Sequence, residues 1–396
     1  MSATSATIAA PVAHPRFAAL PPLALYVHIP WCVRKCPYCD FNSHEAKGDV
    51  DEARYVDALL ADLETALPSV WGRKVHTVFI GGGTPSLFSA ASIDALLAGV
   101  RARLQVMPDA EVTLEANPGT FEREKFAGFF AAGVNRLSLG IQSFDDAKLA
   151  AVGRVHDAGE ARRAAEAALM IFGNVNLDVM FALPGQMLVE AEADVAAALA
   201  FNPPHLSFYQ LTLEPNTLFH RHPPVLPDDE LAADMQDMVA ARLAAAGYAR
   251  YEVSAYAKPG RECAHNLNYW RFGDYLGIGA GAHSKLSFAD RIERAIRYKQ
   301  PRQYVERALA REPALETTTV GRGDVGFEFM LNALRLTAGV PSALFAERTG
   351  MPLAIVAPAI DAATRKGLLE PDPSRIKPSA LGRRFLNDLT ALFLAR

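Results

Sequence analysis

From Leu25 onward, short runs of β-branched and aromatic residues alternate with longer runs in which Ala and Leu recur at helical spacing. The short runs predict strands at Leu25–Ile29, Val75–Ile80, Glu111–Glu115, Arg136–Gly140, Asn176–Phe181 and His205–Leu211. The long runs predict helices at Glu52–Ala66, Ser92–Leu104, Arg123–Ala132, Glu160–Phe172 and Ala191–Ala200. Turn residues stand where the strands should stop: Gly81-Gly82-Gly83, Asn117-Pro118-Gly119 and Pro184-Gly185. Repeated strand–helix units of this kind bury their apolar faces as a parallel sheet covered by helices.

An open doubly wound sheet and a partial barrel both satisfy that pattern. The polar residues favour the barrel, because they gather just beyond several different strands: Gly83 and Thr84, Glu115 and Asn117, Gln142 and Ser143, Pro184 to Gln186. A barrel builds its site from many loops around one mouth, whereas an open sheet concentrates it at one switch point. The expected fold is therefore α/β, a partial (β/α)6 TIM-like barrel over residues 23–250.

A long helix, Asp228–Gly247, is followed by an aromatic, Gly-rich stretch, and residues 251–320 read as a connecting segment. Helical patterns return at Gln303–Ala310, Gly326–Leu336, Pro341–Thr349 and Pro352–Lys366, so residues 321–396 predict a small C-terminal helical domain of winged-helix type. It carries no dense Lys/Arg stripe, which argues against DNA. Residues 1–22, rich in Ala, Ser, Thr and Pro, predict a disordered tail without the basic start and apolar block of a secretory signal.

Composition narrows the function. Among 396 residues, 40 basic and 44 acidic side chains leave a net charge of −4, which argues against a large nucleic-acid footprint. No run is long and apolar enough to span a bilayer. Of the four cysteines, three crowd into Cys32-Val33-Arg34-Lys35-Cys36-Pro37-Tyr38-Cys39, directly after a predicted strand. Such clustering points to metal or redox chemistry in a reducing, cytoplasmic compartment. A structural zinc site wants four ligands, and the remaining Cys263 is solitary; His28, Asp40 or His44 would have to complete the set. Three thiolates on one short loop suit an iron–sulfur cube better, holding three irons and leaving the fourth open.

Cys-x3-Cys-x2-Cys with an aromatic before its last cysteine resembles the radical S-adenosylmethionine (SAM) superfamily, in which SAM chelates the open iron of a [4Fe–4S] cluster. Two more motifs resemble the oxygen-independent coproporphyrinogen III oxidase family within it: Tyr26-Val27-His28-Ile29-Pro30-Trp31-Cys32 and Gly81-Gly82-Gly83-Thr84-Pro85-Ser86. The resemblance implies Cys32, Cys36 and Cys39 as cluster ligands. It implies Tyr26, Tyr38, Gly82, Gly83, Thr84, Glu115, Gln142, Arg154 and Asp178 as cofactor-binding residues. Taken singly, Arg154 and Asp178 read equally well as members of structural ion pairs.

The oxidases carry a fourth cysteine two residues after the third, where this chain has Phe41. That departure, and the lack of a recognisable counterpart of their N-terminal arm, point to the sister branch of haem chaperones. His265-Asn266-Leu267-Asn268-Tyr269-Trp270 matches that branch's HNxxYW motif, and Gly326–Leu336 resembles the family's C-terminal signature. The branch implies haem bound by His265 and a haem-accepting protein as partner; read from the residues alone, the motif serves equally as a loop whose His caps backbone groups, and His283, His156 and Cys263 are alternative ligands. A one-electron donor such as a flavodoxin or ferredoxin fits the cluster. An enzyme reading, the radical decarboxylation of coproporphyrinogen propionates, stays open beside the chaperone.

Overall fold

The computed structural model describes residues 15–119 and 122–394. The predicted strands all form, as β1 (Leu23–Ile29), β2 (Lys74–Gly82), β3 (Gln105–Ala116), β4 (Arg136–Gln142), β5 (Val175–Phe181) and β6 (His205–Gln210). They pair in parallel in that order, and six of the seven residues of β1 are buried, as expected of a strand covered on both faces. The connecting helices α1 (Glu52–Val70), α2 (Ala90–Arg103), α3 (Glu122–Ala131), α4 (Ala158–Ile171), α5 (Leu188–Ala200) and α6 (Asp229–Ala245) lie outside the sheet. Their starts follow from capping chemistry: Asp51, Ser89 and Asp228 each accept a backbone N–H of the first turn, and Asp157 with Glu160 closes a capping box on α4. The buried stripe of α4 is all alanine (161, 164, 165, 167 and 168), which lets the helix lie close to the strands.

The sheet is open, as a partial barrel requires. It runs on beyond β1 through strands the sequence pattern did not predict: β7 (Asp274–Ile278), parallel to β1, then the antiparallel β8 (His283–Ser287), β9 (Ile292–Arg297) and β10 (Ala314–Thr319). The supposed connecting segment 251–320 thus contributes several strands to the sheet. Its strands are short and carry polar residues such as Ser284, Lys285 and Ser287, which hide the alternation a strand reading needs. Within the segment α7 (Ala264–Trp270) and α8 (Pro301–Leu309) also form. Helix α9 (Arg322–Ala333), shorter helices and a two-stranded pairing of Val340–Pro341 with Arg375–Ile376 build the C-terminal domain around a core that includes Phe329, Phe345 and Leu389.

The tail expectation needs correction where it can be checked. Residues 1–14 lie outside the described residues, but 15–22 are tied down. Arg16 donates its backbone N–H to Gly350 O at 2.9 Å, Phe17 packs on the C-terminal core, and Pro22 O accepts from Asp274 N at 2.9 Å. Composition suggested fraying; tertiary contacts with residues far along the chain override it.

One buried ion pair locks the added strands to the barrel. Asp62 of α1 accepts from Arg297 Nε of β9 at 2.9 and 3.0 Å and from the Tyr304 hydroxyl of α8 at 2.9 Å. Asp62 is fully buried and Arg297 nearly so. Removing one partner strands the other's charge out of water, which typically costs about 3–5 kcal/mol. Asp62→Ala is therefore expected to lower unfolding stability by about that amount in a denaturant titration, whereas removing the exposed pair Arg302–Glu306 should cost at most about 0.5 kcal/mol.

Candidate functional site

The loop leaving β1 carries the three cysteines into a cleft of about 640 Å³ at the C-terminal ends of the strands. Backbone hydrogen bonds weld the loop to the end of β2: Gly83 N to Ile29 O at 2.8 Å and Thr84 N to Trp31 O at 2.7 Å. Close approach is the reason for glycine here. A Cβ at Gly83 would sit 2.5 Å from the Trp31 carbonyl, and one at Gly82, where φ is +122°, would meet the His28 ring at 2.7 Å. The glycine run thus makes room first for the cysteine loop itself.

Other anchors hold the loop from below and from the side. Tyr38 packs on a small core of Val152, Met180, Leu183, Leu211 and Phe219, and the Pro37 carbonyl accepts from Phe219 N at 3.0 Å. Tyr26 does not line the cleft. Its hydroxyl meets His28 Nδ1 at 2.9 Å while His28 Nε2 reaches the Asn42 carbonyl at 2.9 Å, so its connection to the site runs through the loop.

The cleft is lined by Cys32, Cys36, Cys39, Tyr38, Gly82, Gly83, Thr84, Glu115, Gln142, Arg154 and Asp178, which brings together every predicted cluster and SAM position except Tyr26. Glu115 accepts from Gly82 N at 3.1 Å. Burial and the neighbouring Asp178 push its carboxyl up to about 7. Asp178 accepts from Ser138 Oγ at 3.0 Å and Asn176 Nδ2 at 2.8 Å, and burial raises it as well. Gln142 holds a left-handed φ of +69° where the β4–β5 register shifts, and accepts from the Tyr209 hydroxyl at 2.6 Å. Burial raises the Cys32 and Cys39 thiols, partly offset by donors at Thr84 and Ser43 respectively. Among the described residues no three His, Cys, Asp or Glu side chains gather tightly enough for one metal ion. Three thiols on one loop that line a single cleft fit the donor set of a multi-iron cluster.

Sequence reasoning noticed Asn117 as a turn signal and as a polar residue just past a strand, without giving it a role, and missed Ser43, Ser138 and Tyr209. Asn117 Nδ2 lies 2.9 Å from Thr84 Oγ1, and its Oδ1 accepts from Arg154 Nη2 at 2.6 Å. Its place just past a strand end was the available signal.

Known proteins match the chain along most of its length. It is 50% identical over 379 residues to the Escherichia coli (strain K12) protein named heme chaperone HemW, covering 95% of this chain and 99% of that one. A Haemophilus influenzae protein of the same name is 48% identical over 381 residues, covering 95% and 98%. The chain belongs to the HemW family. Residues 26–197 match the radical SAM superfamily and residues 322–385 the HemN C-terminal domain. In fold it is similar to the coproporphyrinogen III oxidase HemN of E. coli, with a TM-score of 0.80 at 24% identity over 94% of this chain and 90% of that one.

The HNxxYW residues of this HemW-family chain lie away from the cleft. They form α7, whose first backbone N–H groups are capped by Glu111 (His265 N to Oε1, 3.0 Å; Ala264 N to Oε2, 3.2 Å) near the start of the sheet's regular pairing. His265 is buried in the barrel interior. One ring nitrogen faces Thr77 Oγ1 at 2.8 Å, the other the Tyr269 hydroxyl at 3.3 Å, and the ring lies 5.0 Å from that of Phe79. Burial, with Arg136 nearby, lowers it to about 3. Trp270 turns the other way, onto the C-terminal core, beneath the Arg335 guanidinium at 4.3 Å. An axial iron ligand needs a free ring nitrogen on an approachable face. As folded, His265 offers none, because it plugs the barrel end opposite the mouth. Of the alternatives, Cys263 is fully buried beside Glu111 and His156 is buried against Ile141 O, leaving His283 as the exposed one.

A plug makes a stability prediction. His265→Ala should cost about 2–4 kcal/mol, from the cavity and the lost Thr77 partner, read as a lower urea midpoint with unchanged slope.

Proposed function

We propose that the chain is a haem chaperone of the radical SAM type. It would hold a [4Fe–4S] cluster on Cys32, Cys36 and Cys39 and SAM in the adjoining cleft, and pass haem to an acceptor protein. One observation carries the reading: the cleft assembles thiols, carboxylates and a guanidinium in a chain half identical, end to end, to proteins named for haem delivery. Each side chain has a task suited to it. Carboxylates at Glu115 and Asp178 suit the hydroxyls and ammonium of SAM, and Arg154 suits its carboxylate. When bound, the cluster supplies one-electron reducing power beside the sulfonium. A flavodoxin or ferredoxin is the fitting class of donor. We place the protein in a reducing, cytoplasmic setting, where three clustered thiols stay available to a cluster; no described helix is long and apolar enough to cross a membrane.

Phe41, 61% exposed on the cleft rim, stands where the oxidases' fourth cysteine would be, and it favours the chaperone over the oxidase. For His265 to ligate haem, α7 would have to leave the barrel end and give up the Thr77 and Glu111 bonds.

The deciding experiment is haem titration of anaerobically reconstituted protein. A Soret band that shifts and saturates near one haem per chain is expected; no spectral change, or protoporphyrinogen formed from coproporphyrinogen with reductant, would overturn the proposal. Changing Cys32, Cys36 or Cys39 to Ala should abolish the cluster's absorbance and iron content, whereas Cys263→Ala should keep both. The pH dependence of SAM binding has a definite sign. Glu115 is protonated below about 7, and a cationic ligand favours the carboxylate, so protons compete with SAM. Affinity measured by calorimetry should rise with pH up to about 7 and level off above, and this dependence should flatten in Glu115→Gln.

A further inference from the structure

We infer that Asn117 is a positioning residue that compels Thr84 to donate a hydrogen bond to Cys32, so that one guanidinium, Arg154, acts on two of the three thiolates. The inference rests on the cluster reading above and adds to it a role for a residue outside the cysteine and SAM sets.

Counting donors fixes the direction of each bond. Arg154 Nη2 lies 2.6 Å from Asn117 Oδ1 and 2.7 Å from Gly140 O. A guanidinium has donors only, so the amide atom facing it must be the oxygen. That fixes the amide's orientation and aims its NH2 group at Thr84 Oγ1, 2.9 Å away. A hydroxyl that accepts from Asn117 keeps its single proton for another partner, and the partner in reach is Cys32 Sγ at 3.5 Å. Meanwhile Arg154 Nη1 approaches Cys36 Sγ at 3.9 Å. The result is a one-way bracket, Arg154 to Asn117 to Thr84 to Cys32, with a direct arm to Cys36. Cys39 stands outside it, facing Ser43 Oγ at 3.8 Å.

A separate observation shows that the bracket is built in. A Cβ at position 140 would lie 2.6 Å from Asn117 Oδ1 and 3.2 Å from Arg154 Nη2. Gly140, in the middle of a buried strand, leaves the space the bracket occupies.

Donors and positive charge at cluster sulfurs favour the reduced, more negative state and raise the reduction potential. The bracket therefore sets the potential chiefly at Cys32 and Cys36, and Asn117 does so without touching either sulfur.

The test is an EPR-monitored redox titration of the reconstituted full chain without SAM, with iron and sulfide assayed on each sample. Thr84→Val should lower the midpoint potential, with a three- to tenfold change in the reduced-to-oxidised ratio at fixed potential (tenfold being about 59 mV for one electron). Thr84→Ser should restore it. Asn117→Asp is the orientation test, because a carboxylate accepts from Arg154 and from Thr84 together and draws the hydroxyl proton away from Cys32. In that background Thr84→Val should have no further effect. If instead Thr84→Val shifts the potential equally in both backgrounds, Asn117 does not orient Thr84 and the inference fails. If Thr84→Val does not load iron, the uncharged Asn117→Leu variant takes its place, and a loaded Leu variant with the parent potential overturns the proposal. Wild-type protein that binds no iron would sink the cluster reading instead, so the two failures are distinguishable.

Discussion

The organisation of the site depends on the contact between two backbones, the loop that leaves β1 and the glycine end of β2. Where Gly82 and Gly83 lack side chains, the His28 ring and the backbone of Pro30 and Trp31 lie directly on them, and two amide hydrogen bonds, to Ile29 O and Trp31 O, hold the chain there. This contact turns a loop with three free cysteines into a fixed presentation of three sulfurs over the strand ends. Everything polar in the cleft is arranged around it: Thr84 follows from the same turn, Glu115 braces Gly82, and Arg154 closes the far side. A side chain at Gly83 would need to displace main chain rather than a flexible tip, so the geometry has little slack.

The molecule assigns different work to its two ends. At the mouth, charged groups are tolerated because each has partners, and burial moves them toward protonation states at which they can respond to a ligand. At the other end, α7 fills the barrel with His265 and Tyr269 while Trp270 reaches into the C-terminal core. The helix joins the barrel to the C-terminal domain, His265 and Tyr269 facing the one and Trp270 the other. The buried Asp62–Arg297 pair performs a similar joining role for the antiparallel strands.

Most of the barrel was legible in the sequence because its strands are buried on both faces and read as apolar runs closed by Gly and Pro turns. Strand ends fell within a few residues of the pattern, apart from β3, which starts six residues earlier than the apolar run Glu111–Glu115 suggests. The strands β7 to β10 were not legible. Lys285 and Asp274 are paired inside the protein, and every residue of β10 is exposed, so neither shows the expected alternation. In the site, residue types with strong chemical signatures were found and their supports were not. Cysteine and glycine spacing points to a location by itself, whereas Asn117 and Ser138 matter only through what the fold sets next to them. His265 shows the converse: a motif with a strong chemical signature lies, in space, within the packing of α7 against the barrel.

The position of β1 in the sheet also bears on how the chain acquires its shape. This first strand lies between β2, which follows it closely, and β7, which is translated only after the six-strand array is complete. Residues 15–22 likewise wait for Gly350 and Asp274 before they have a place to rest. During synthesis, one edge of β1 and the nearby cysteine loop stay uncovered until late, a topology of long-range contacts that slows folding. A nascent chain of this design passes through a period in which its thiols are open to metal donors and to oxidants alike, before the finished walls decide which of them can enter.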